Sequence, residues 1–221
     1  MIKATYNKIE NYMLEMMRDF AHDSLHIYRV LHQSLAISEA YDEVNRDVLI
    51  ASCLLHDIGR DSQFQNPQLC HATEGGKMAS AFIGKLGWNE NLCMHIQDCI
   101  TTHRFRTNNP PKTIEAKILF DSDKLDVTGA LGIARSLLYK GQCGEPLYTV
   151  DEKNQIQDGR DSSAPESFFK EYHFKLIKLY DRFYTKEANS ISQKRKNLTL
   201  YFFNELMEEV AINDLDKLLR L

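Results

Sequence analysis

The residues most suggestive of chemistry are His56 and Asp57, which end an apolar segment spanning residues 47–58. A helix that is apolar on nearly every face belongs inside a fold, so both side chains are expected to enter the core. An ionised carboxylate there is costly unless it is paired or coordinated, and residues 47–58 contain no Lys or Arg. A metal cation would neutralise Asp57. A His-Asp pair is nevertheless common, and on its own it indicates a structural role more strongly than a metal site.

Other residues with suitable side chains lie in predicted helices. His26 lies in an amphipathic segment over residues 24–41, where a lone histidine is more often a core or boundary residue than a ligand. Asp123 stands between Asp121 and Asp126 in the sequence KILFDSDKLDV. Because positions two apart lie about 200° apart around a helix, the three aspartates cannot share one face. One of them is expected to point inward.

Two more histidines stand at the ends of predicted helices. His71 precedes the helix predicted over residues 73–86, and His103 closes the helix predicted over residues 90–103. Taken alone, each would cap a helix or face solvent more often than bind a ligand.

The elements that must position these residues are all predicted to be helices, because apolar residues recur at intervals of three and four throughout the chain. The predicted helices span residues 2–20, 24–41, 47–58, 73–86, 90–103, 114–127, 129–140, about 163–185 and about 195–211. Asn89 and Thr113 are suitable N-caps. Gly59 and Gly87 are suited to the left-handed conformation that ends many helices.

Two segments break this helical pattern. Residues 141–164 are polar, turn-rich and poorly periodic, which predicts a long loop or lid. Residues 185–197 are charged and predict a linker before the last helix. The whole chain, residues 1–221, is expected to form a single domain, with its core over about 20–140 and C-terminal helices over 165–221.

Composition narrows the class of protein. The chain has 221 residues, of which 43% are apolar and 26% charged, with a net charge of −4. An acidic balance argues against binding to nucleic acid or to an anionic membrane. The five cysteines include no C-x-x-C pair, which is consistent with a reducing compartment. We therefore expect an ordinary globular, cytoplasmic protein with no membrane segment.

Several segments together resemble the HD superfamily of metal-dependent phosphohydrolases. The similarity covers roughly residues 20–150 and is carried by the segments HIYRVL, LLHDIGR, HATEGGKMA, ITTHRF, EAKILFDSDKLDVTGALGIAR and GEPLY. They are most similar to a branch of small single-domain HD proteins from bacteria and fungi, the YpgQ-like nucleotide pyrophosphohydrolases. The resemblance implies an all-α fold, an HD-domain helical bundle with a C-terminal helical extension.

The resemblance also implies a metal site. The positions that match the family pattern for metal ligands are His26, His56, Asp57 and Asp123. Mixed imidazole and carboxylate ligands suit a divalent transition metal better than Mg²⁺. Mn²⁺ is the first expectation, and Fe²⁺, Co²⁺, Ni²⁺ and Zn²⁺ are also compatible.

The same resemblance gives His71 and His103 two roles, either contact with a substrate phosphate, which we favour, or ligation of a second metal. Two cations are expected to bind substrate phosphates, because Arg60 follows the His-Asp pair by three positions and Arg104 adjoins His103. Either could also be an ordinary surface charge.

Two residues are expected to take part in catalysis. Lys124 adjoins Asp123 and could stabilise charge that develops on the phosphates. Asp61 could orient the attacking water or act as a general base. The expected substrate is a small phosphorylated molecule, and the expected assembly is a monomer or a homodimer.

The favoured reaction is cleavage of nucleoside or deoxynucleoside triphosphates to a monophosphate and pyrophosphate. Hydrolases of guanosine tetraphosphate carry HD-x-x-E-D, whereas this chain has Arg60 in place of the glutamate, and the Gly-Tyr-Pro signature of the cyclic-dinucleotide branch does not occur. Three alternatives stay open: a phosphatase or nucleotidase acting on another phosphoester, a non-catalytic metal-containing module that senses a nucleotide, and a two-iron oxygenase.

Overall fold

The computed structural model of the chain describes residues 1–17, 24–104 and 109–211. Its elements, in chain order, are α1 (Lys3–Met16), α2 (Ser24–Ser38), α3 (Arg46–Leu55), α4 (Arg60–Gln65), α5 (His71–Lys85), α6 (Glu90–Thr102), α7 (Ile114–Leu125), α8 (Gly129–Gln142), β1 (Thr149–Val150), β2 (Ile156–Gln157), α9 (Phe168–Phe174), a 3₁₀ helix (Leu176–Asp181) and α10 (Lys186–Val210). The all-α prediction is confirmed. The strands β1 and β2 form a small antiparallel hairpin inside the segment predicted as a loop.

Two compact units can be distinguished. Unit 1 comprises Met1–Asp126 together with Tyr184–Ala188, and unit 2 comprises Val127–Phe183 together with Asn189–Leu221. The expectation of a single domain stays a prediction.

The centre of unit 1 is α3, which packs against α1, α2, α5, α6 and α7. Its buried residues cover most of its circumference and are Val48, Leu49, Ala51, Ser52, Cys53, Leu54 and Leu55. The prediction of a central helix that is apolar on nearly all faces is therefore confirmed, and the residues at its C-terminal end lie in the interior.

The caps of two helices that lead to site residues are as expected. The Asn89 side chain accepts a hydrogen bond from the backbone N–H of Leu92, and Thr113 accepts one from that of Ala116. Both bonds satisfy a backbone donor in the first turn of a helix, so they fix where α6 and α7 begin.

Gly59 lies where two backbones approach closely. Its φ is −85°, so the prediction of a left-handed cap there is wrong, whereas Gly87 has a φ of 86° as expected. A Cβ atom on Gly59 would lie 2.2 Å from the carbonyl oxygen of His71 and 2.5 Å from the backbone nitrogen of Gly75. A side chain is therefore excluded because the start of α5 packs directly against this turn.

Asp121 anchors the second segment of unit 1. Its fully buried carboxylate accepts hydrogen bonds from the backbone N–H of Tyr184 and from both the N–H and the hydroxyl of Thr185. Asp121 therefore points inward and holds residues 184–188 against α7. Asp126 is also buried and the side chain of Asp123 is only 12% exposed, so the expectation that one of the three aspartates points inward is wrong.

Unit 2 has an aromatic core of its own. The rings of Tyr172 and Phe203 stack with centroids 3.7 Å apart. The buried members of this core are Ile133, Phe168, Phe169, Tyr172, Leu176 and Phe203. Most of them come from α9 and the elements that follow it.

Two expectations about elements were wrong, and one helix was missed. The helix predicted over about 163–185 consists of α9 and a 3₁₀ helix, separated at Lys175, whose φ is −130°. The linker predicted over residues 185–197 is mostly helical, because α10 begins at Lys186. The short helix α4 was not predicted. The end of the first predicted helix and residues 105–108 of the loop before α7 lie outside the described residues.

Within the described ranges, no helix has both the length and the apolar character needed to cross a bilayer.

Candidate metal centre

Three of the expected ligands meet in the interior of unit 1. His26 comes from α2, His56 is the residue at the C-terminal end of α3, and Asp123 lies in α7. The Nε2 atom of His26 is 3.2 Å from Oδ1 of Asp123 and 3.3 Å from Nε2 of His56. His56 Nε2 lies 3.9 Å from the same Asp123 oxygen. We call these residues group 1.

A second set of three residues lies beside the first. Oδ1 of Asp57 is 3.7 Å from Nε2 of His71 and 3.7 Å from Nε2 of His103. These residues form group 2. The other oxygen of Asp57, Oδ2, lies 3.6 Å from Nε2 of His56 and 3.8 Å from Nε2 of His26. The Asp57 carboxylate therefore faces both groups, one oxygen toward each.

The outer nitrogens of two rings bond to the backbone of their own helices. Nδ1 of His56 lies 2.8 Å from the carbonyl oxygen of Cys53, and Nδ1 of His103 lies 2.6 Å from that of Ile100. A carbonyl oxygen can only accept, so Nδ1 carries the proton and Nε2 presents its lone pair. This orientation is the one that metal-binding histidines require.

The other two rings are fixed by side chains. Nδ1 of His26 lies 2.7 Å from Oδ2 of Asp126, and Nδ1 of His71 lies 2.6 Å from Oε1 of Gln63 in α4. The guanidinium of Arg29 donates to both oxygens of Asp126. Sequence reasoning assigned no role to these three partners, although the positions of Asp123 and Asp126, three apart in one helix, place them on neighbouring parts of one face.

The electrostatics of the histidines differ. Burial lowers the pKa of His56, and it lowers the pKa of His71 to about 4 and that of His103 to about 3. Burial also opposes a charge on His26, but hydrogen bonds to Asp123 and Asp126 outweigh it and raise its pKa to about 9. In the absence of metal, three of the four imidazoles are therefore neutral at pH 7, and His26 is protonated.

Both carboxylates stay ionised. Burial disfavours the charge on Asp57, but nearby positive charge, including that of Arg60 at 2.6 Å, outweighs it and holds the pKa of Asp57 well below the usual range. Burial likewise opposes the charge on Asp123, and the neighbouring Lys124 and His26 more than offset it. The interior thus holds two anionic carboxylates.

The chemistry of these groups fits a divalent metal ion. Oδ1 of Asp57 is buried and has no hydrogen-bond partner among the described residues, and the two imidazoles nearest to it present Nε2 at distances too long for hydrogen bonds. In group 1, the proton that His26 carries on Nε2 in the metal-free protein points toward Nε2 of His56 and Oδ1 of Asp123, and a bound metal ion would take its place. Imidazole and carboxylate donors in this combination suit Mn²⁺, Fe²⁺, Co²⁺, Ni²⁺ or Zn²⁺.

Two of the three expected cations contact the ligands directly. Nε of Arg60 lies 2.6 Å from Oδ2 of Asp57, and Nζ of Lys124 lies 2.7 Å from Oδ2 of Asp123. Arg104 donates to Sγ of Cys70, the residue before His71, over 3.6 Å. The ion pairs with Arg60 and Lys124 account for part of the charge of the two carboxylates.

The expected base, Asp61, lies in a different environment. Its side chain is exposed on α4 and accepts a hydrogen bond from Gln65 over 2.8 Å. Its role as a general base stays a prediction.

Comparison with known proteins identifies the family of this region. Residues 24–128 match the family model of the HD domain. The chain contains an HD domain. Both ligand groups lie within the matched residues, so the HD domain supplies all six of their side chains.

The similarity to known proteins extends beyond the HD domain and covers most of the chain. It is 28% identical over 193 residues to the Bacillus subtilis protein YpgQ, described as uncharacterized, and the alignment covers 86% of this chain and 84% of YpgQ. A crystal structure of YpgQ in complex with ADP has a TM-score of 0.71 at 23% identity, covering 95% of this chain and 100% of that one.

A further solved structure carries a functional description. The HD-superfamily hydrolase from Bacillus thuringiensis has a TM-score of 0.69 at 26% identity, covering 94% of this chain and 97% of that one. The resemblance to the HD superfamily is therefore confirmed, and the chain is related to HD-superfamily hydrolases.

Proposed function

We propose that the HD domain of this chain catalyses metal-dependent hydrolysis of nucleoside or deoxynucleoside triphosphates to a monophosphate and pyrophosphate. The observation that carries the proposal is the convergence of four imidazole Nε2 atoms on two buried, ionised carboxylates. Arg60, Lys124 and the protonated His26 balance part of this negative charge, but Oδ1 of Asp57 is buried with no hydrogen-bond partner among the described residues. Perturbed ionisable groups of this kind cluster at functional sites.

The proposed ligands of the first metal are His26, His56, Asp57 and Asp123, with Mn²⁺ as the first candidate. His71 and His103 were expected to contact a substrate phosphate, with a second ion as the alternative. Because Oδ1 of Asp57 faces both rings and would repel an anionic phosphate there, the second ion is the role that we propose. When bound, a divalent metal supplies a Lewis acid for a phosphoryl oxygen and lowers the pKa of water toward about 7.

The cations of the chain have a role in holding the substrate. The guanidinium of Arg60 carries five N–H donors, of which Nε contacts Asp57, and its side chain is 40% exposed. Lys124 and Arg104 add positive charge from α7 and from the end of α6. These groups orient a polyphosphate and stabilise charge that develops on its oxygens. Asp61 is proposed to accept a proton from the attacking water.

A nucleotide is the favoured substrate because the related YpgQ has been crystallised with ADP. A phosphatase or nucleotidase acting on another phosphoester is the first alternative, and a non-catalytic nucleotide sensor is the second. A cytoplasmic location, a monomeric or homodimeric state and the lack of binding to nucleic acid stay predictions.

Phosphorus NMR of a panel of nucleoside triphosphates tests the proposal, with purified protein and Mn²⁺, Co²⁺ or Ni²⁺. We expect pyrophosphate and monophosphate to appear with the wild type and not with His56→Ala. His32→Ala, a change at an exposed histidine of α2, is the matched control and should retain activity. Release of orthophosphate would favour a phosphatase, and intact triphosphate with every metal would contradict hydrolysis.

A further inference from the structure

Phe64 is a large aromatic residue left in solvent on the short helix that borders the metal groups. Its side chain is 75% exposed, and α4 has no buried residue. Single exposed apolar residues are common on protein surfaces, so exposure alone carries no conclusion. The position of Phe64 relative to Arg60 and Gln63 is what distinguishes it.

The helix α4 is fixed to the metal groups by two side chains. Arg60, its first residue, bonds to Oδ2 of Asp57 over 2.6 Å. Oε1 of Gln63 accepts a hydrogen bond from Nδ1 of His71 over 2.6 Å. One side chain of α4 thus reaches the carboxylate that both groups share, and another orients a ring of group 2. This helix forms part of the wall of the site.

Helical spacing places Phe64 beside the open side of Arg60. Residues four apart in a helix lie on the same face with Cβ atoms about 5–6 Å apart. Phe64 follows Arg60 by four positions, and the Arg60 side chain is itself 40% exposed. The cation that we propose to hold phosphate is therefore followed, one turn later in α4, by an exposed aromatic ring.

We infer that Phe64 is a base-contacting residue, on which the nucleobase of the substrate stacks while Arg60 holds its phosphates. The inference rests on the proposed function and specifies how the same site recognises a nucleotide. Every nucleobase has a π-face, so stacking on an aromatic ring strengthens binding with little discrimination among bases. A phosphorylated substrate without an aromatic group gains nothing from Phe64.

Steady-state kinetics with two substrates test the inference, using a nucleoside triphosphate and inorganic tripolyphosphate. We expect Phe64→Ala to raise KM for the nucleotide about tenfold, with kcat within about twofold and with unchanged kinetics for tripolyphosphate. Phe64→Tyr should restore KM. Met94→Ala removes another exposed apolar side chain of unit 1, nine positions before His103, and should change neither substrate. An unchanged nucleotide KM in Phe64→Ala, or an equal rise for tripolyphosphate, would overturn the inference.

A binding measurement keeps the inference separate from the hydrolysis that it rests on. Trp88 is the single tryptophan, so Phe64→Trp in a Trp88→Phe background gives a fluorophore at the inferred contact. We expect ADP with Mn²⁺ to quench its emission and tripolyphosphate with Mn²⁺ to leave it unchanged. Quenching by ADP in a protein that hydrolyses no triphosphate would refute the proposed function and support the base contact. Equal effects of ADP and tripolyphosphate, or no effect of ADP, would refute the base contact.

Discussion

The Nδ1 atom of His26 donates to Asp126, one hundred residues later in the chain, over 2.7 Å. Arg29, on the same helix as His26, bonds to the same carboxylate through Nε at 2.6 Å and Nη2 at 3.0 Å. The carboxylate is nearly buried. Asp126 thus joins α2 to the end of α7 and directs Nε2 of His26 toward Asp123.

Replacing Asp126 by Asn should weaken metal binding without removing a ligand. An amide oxygen is a weaker acceptor than a carboxylate, and mutation of such an orienting partner of a metal-binding histidine lowers metal affinity about 10–100-fold. Titration calorimetry with Mn²⁺ on metal-depleted protein measures this change. Asp42→Asn, which alters an exposed carboxylate, is the control. Equal affinities for Asp126→Asn and the wild type would mean that His26 is not oriented by this bond.

Metal binding should release a proton. In metal-free protein the pKa of His26 is raised to about 9, so the ring is charged below that pH and must lose its proton to bind a metal. The pKa values of His71 and His103 lie near 4 and 3, so these rings are already neutral at pH 7.

Apparent affinity is therefore expected to rise about tenfold per pH unit between pH 7 and 9 and then to level off. Calorimetry in buffers of different ionisation enthalpy counts the protons released. A pH-independent affinity over this range would contradict a charged His26.

Gly59→Ala should destabilise the protein although the backbone conformation is open to any residue. The added Cβ would meet the backbone of His71 and Gly75 at 2.2 and 2.5 Å, so α5 must shift. Overpacking of this kind costs about 1–3 kcal/mol, and the shift should also reduce metal affinity because it moves His71. Urea unfolding and metal titration measure the two effects.

Gly84→Ala is the matched control for Gly59→Ala. Gly84 lies in α5, and an added Cβ would make an ordinary contact of 3.8 Å with Sγ of Cys93 in α6. Alanine is favoured over glycine in a helix by about 0.5–1 kcal/mol, so this change should stabilise the protein. Destabilisation by both variants would indicate that α5 tolerates no added methyl group. The effect at Gly59 could then not be attributed to its close contact with His71 and Gly75.

Asp121→Ala and Asp123→Ala should have different effects although the residues are two positions apart. Asp121 is buried and accepts hydrogen bonds from residues 184 and 185, and unpaired donors left in a core cost about 1–3 kcal/mol each. Asp121→Ala should therefore lower the free energy of unfolding by several kcal/mol while the folded protein still binds metal. Asp123→Ala should abolish binding at group 1. Loss of metal binding in folded Asp121→Ala would contradict this division.

The candidate ligands could be predicted from the sequence more fully than the residues that orient them. His56 and Asp57 follow an apolar run, and a polar pair at the end of such a run can be recognised from the sequence alone. Gln63 lies in a helix of six residues with no buried side chain, so no apolar periodicity marks it. The grouping of Asp57 with His71 and His103 depends on how α3, α5 and α6 pack, which spacing along the chain does not specify.

The predicted helix boundaries were wrong where the sequence has no apolar periodicity to mark a helix. Residues 186–194 are mostly charged or polar, and their composition resembles that of a linker, yet they begin α10. Gly59 was interpreted through its conformational freedom, whereas the structure requires it for a close contact with α5. In both cases tertiary packing decided what local preference could not.

The four histidines differ in how far away their orienting partners lie. His56 and His103 bond to carbonyls three residues earlier, so a single turn of helix sets the direction of each ring. His26 and His71 depend on side chains 100 and 8 positions away. Each group pairs one histidine of the first kind with one of the second. Both groups are therefore complete only after distant parts of unit 1 have packed together, so metal should bind late in refolding. The rate of metal binding then measures how fast unit 1 completes its folding.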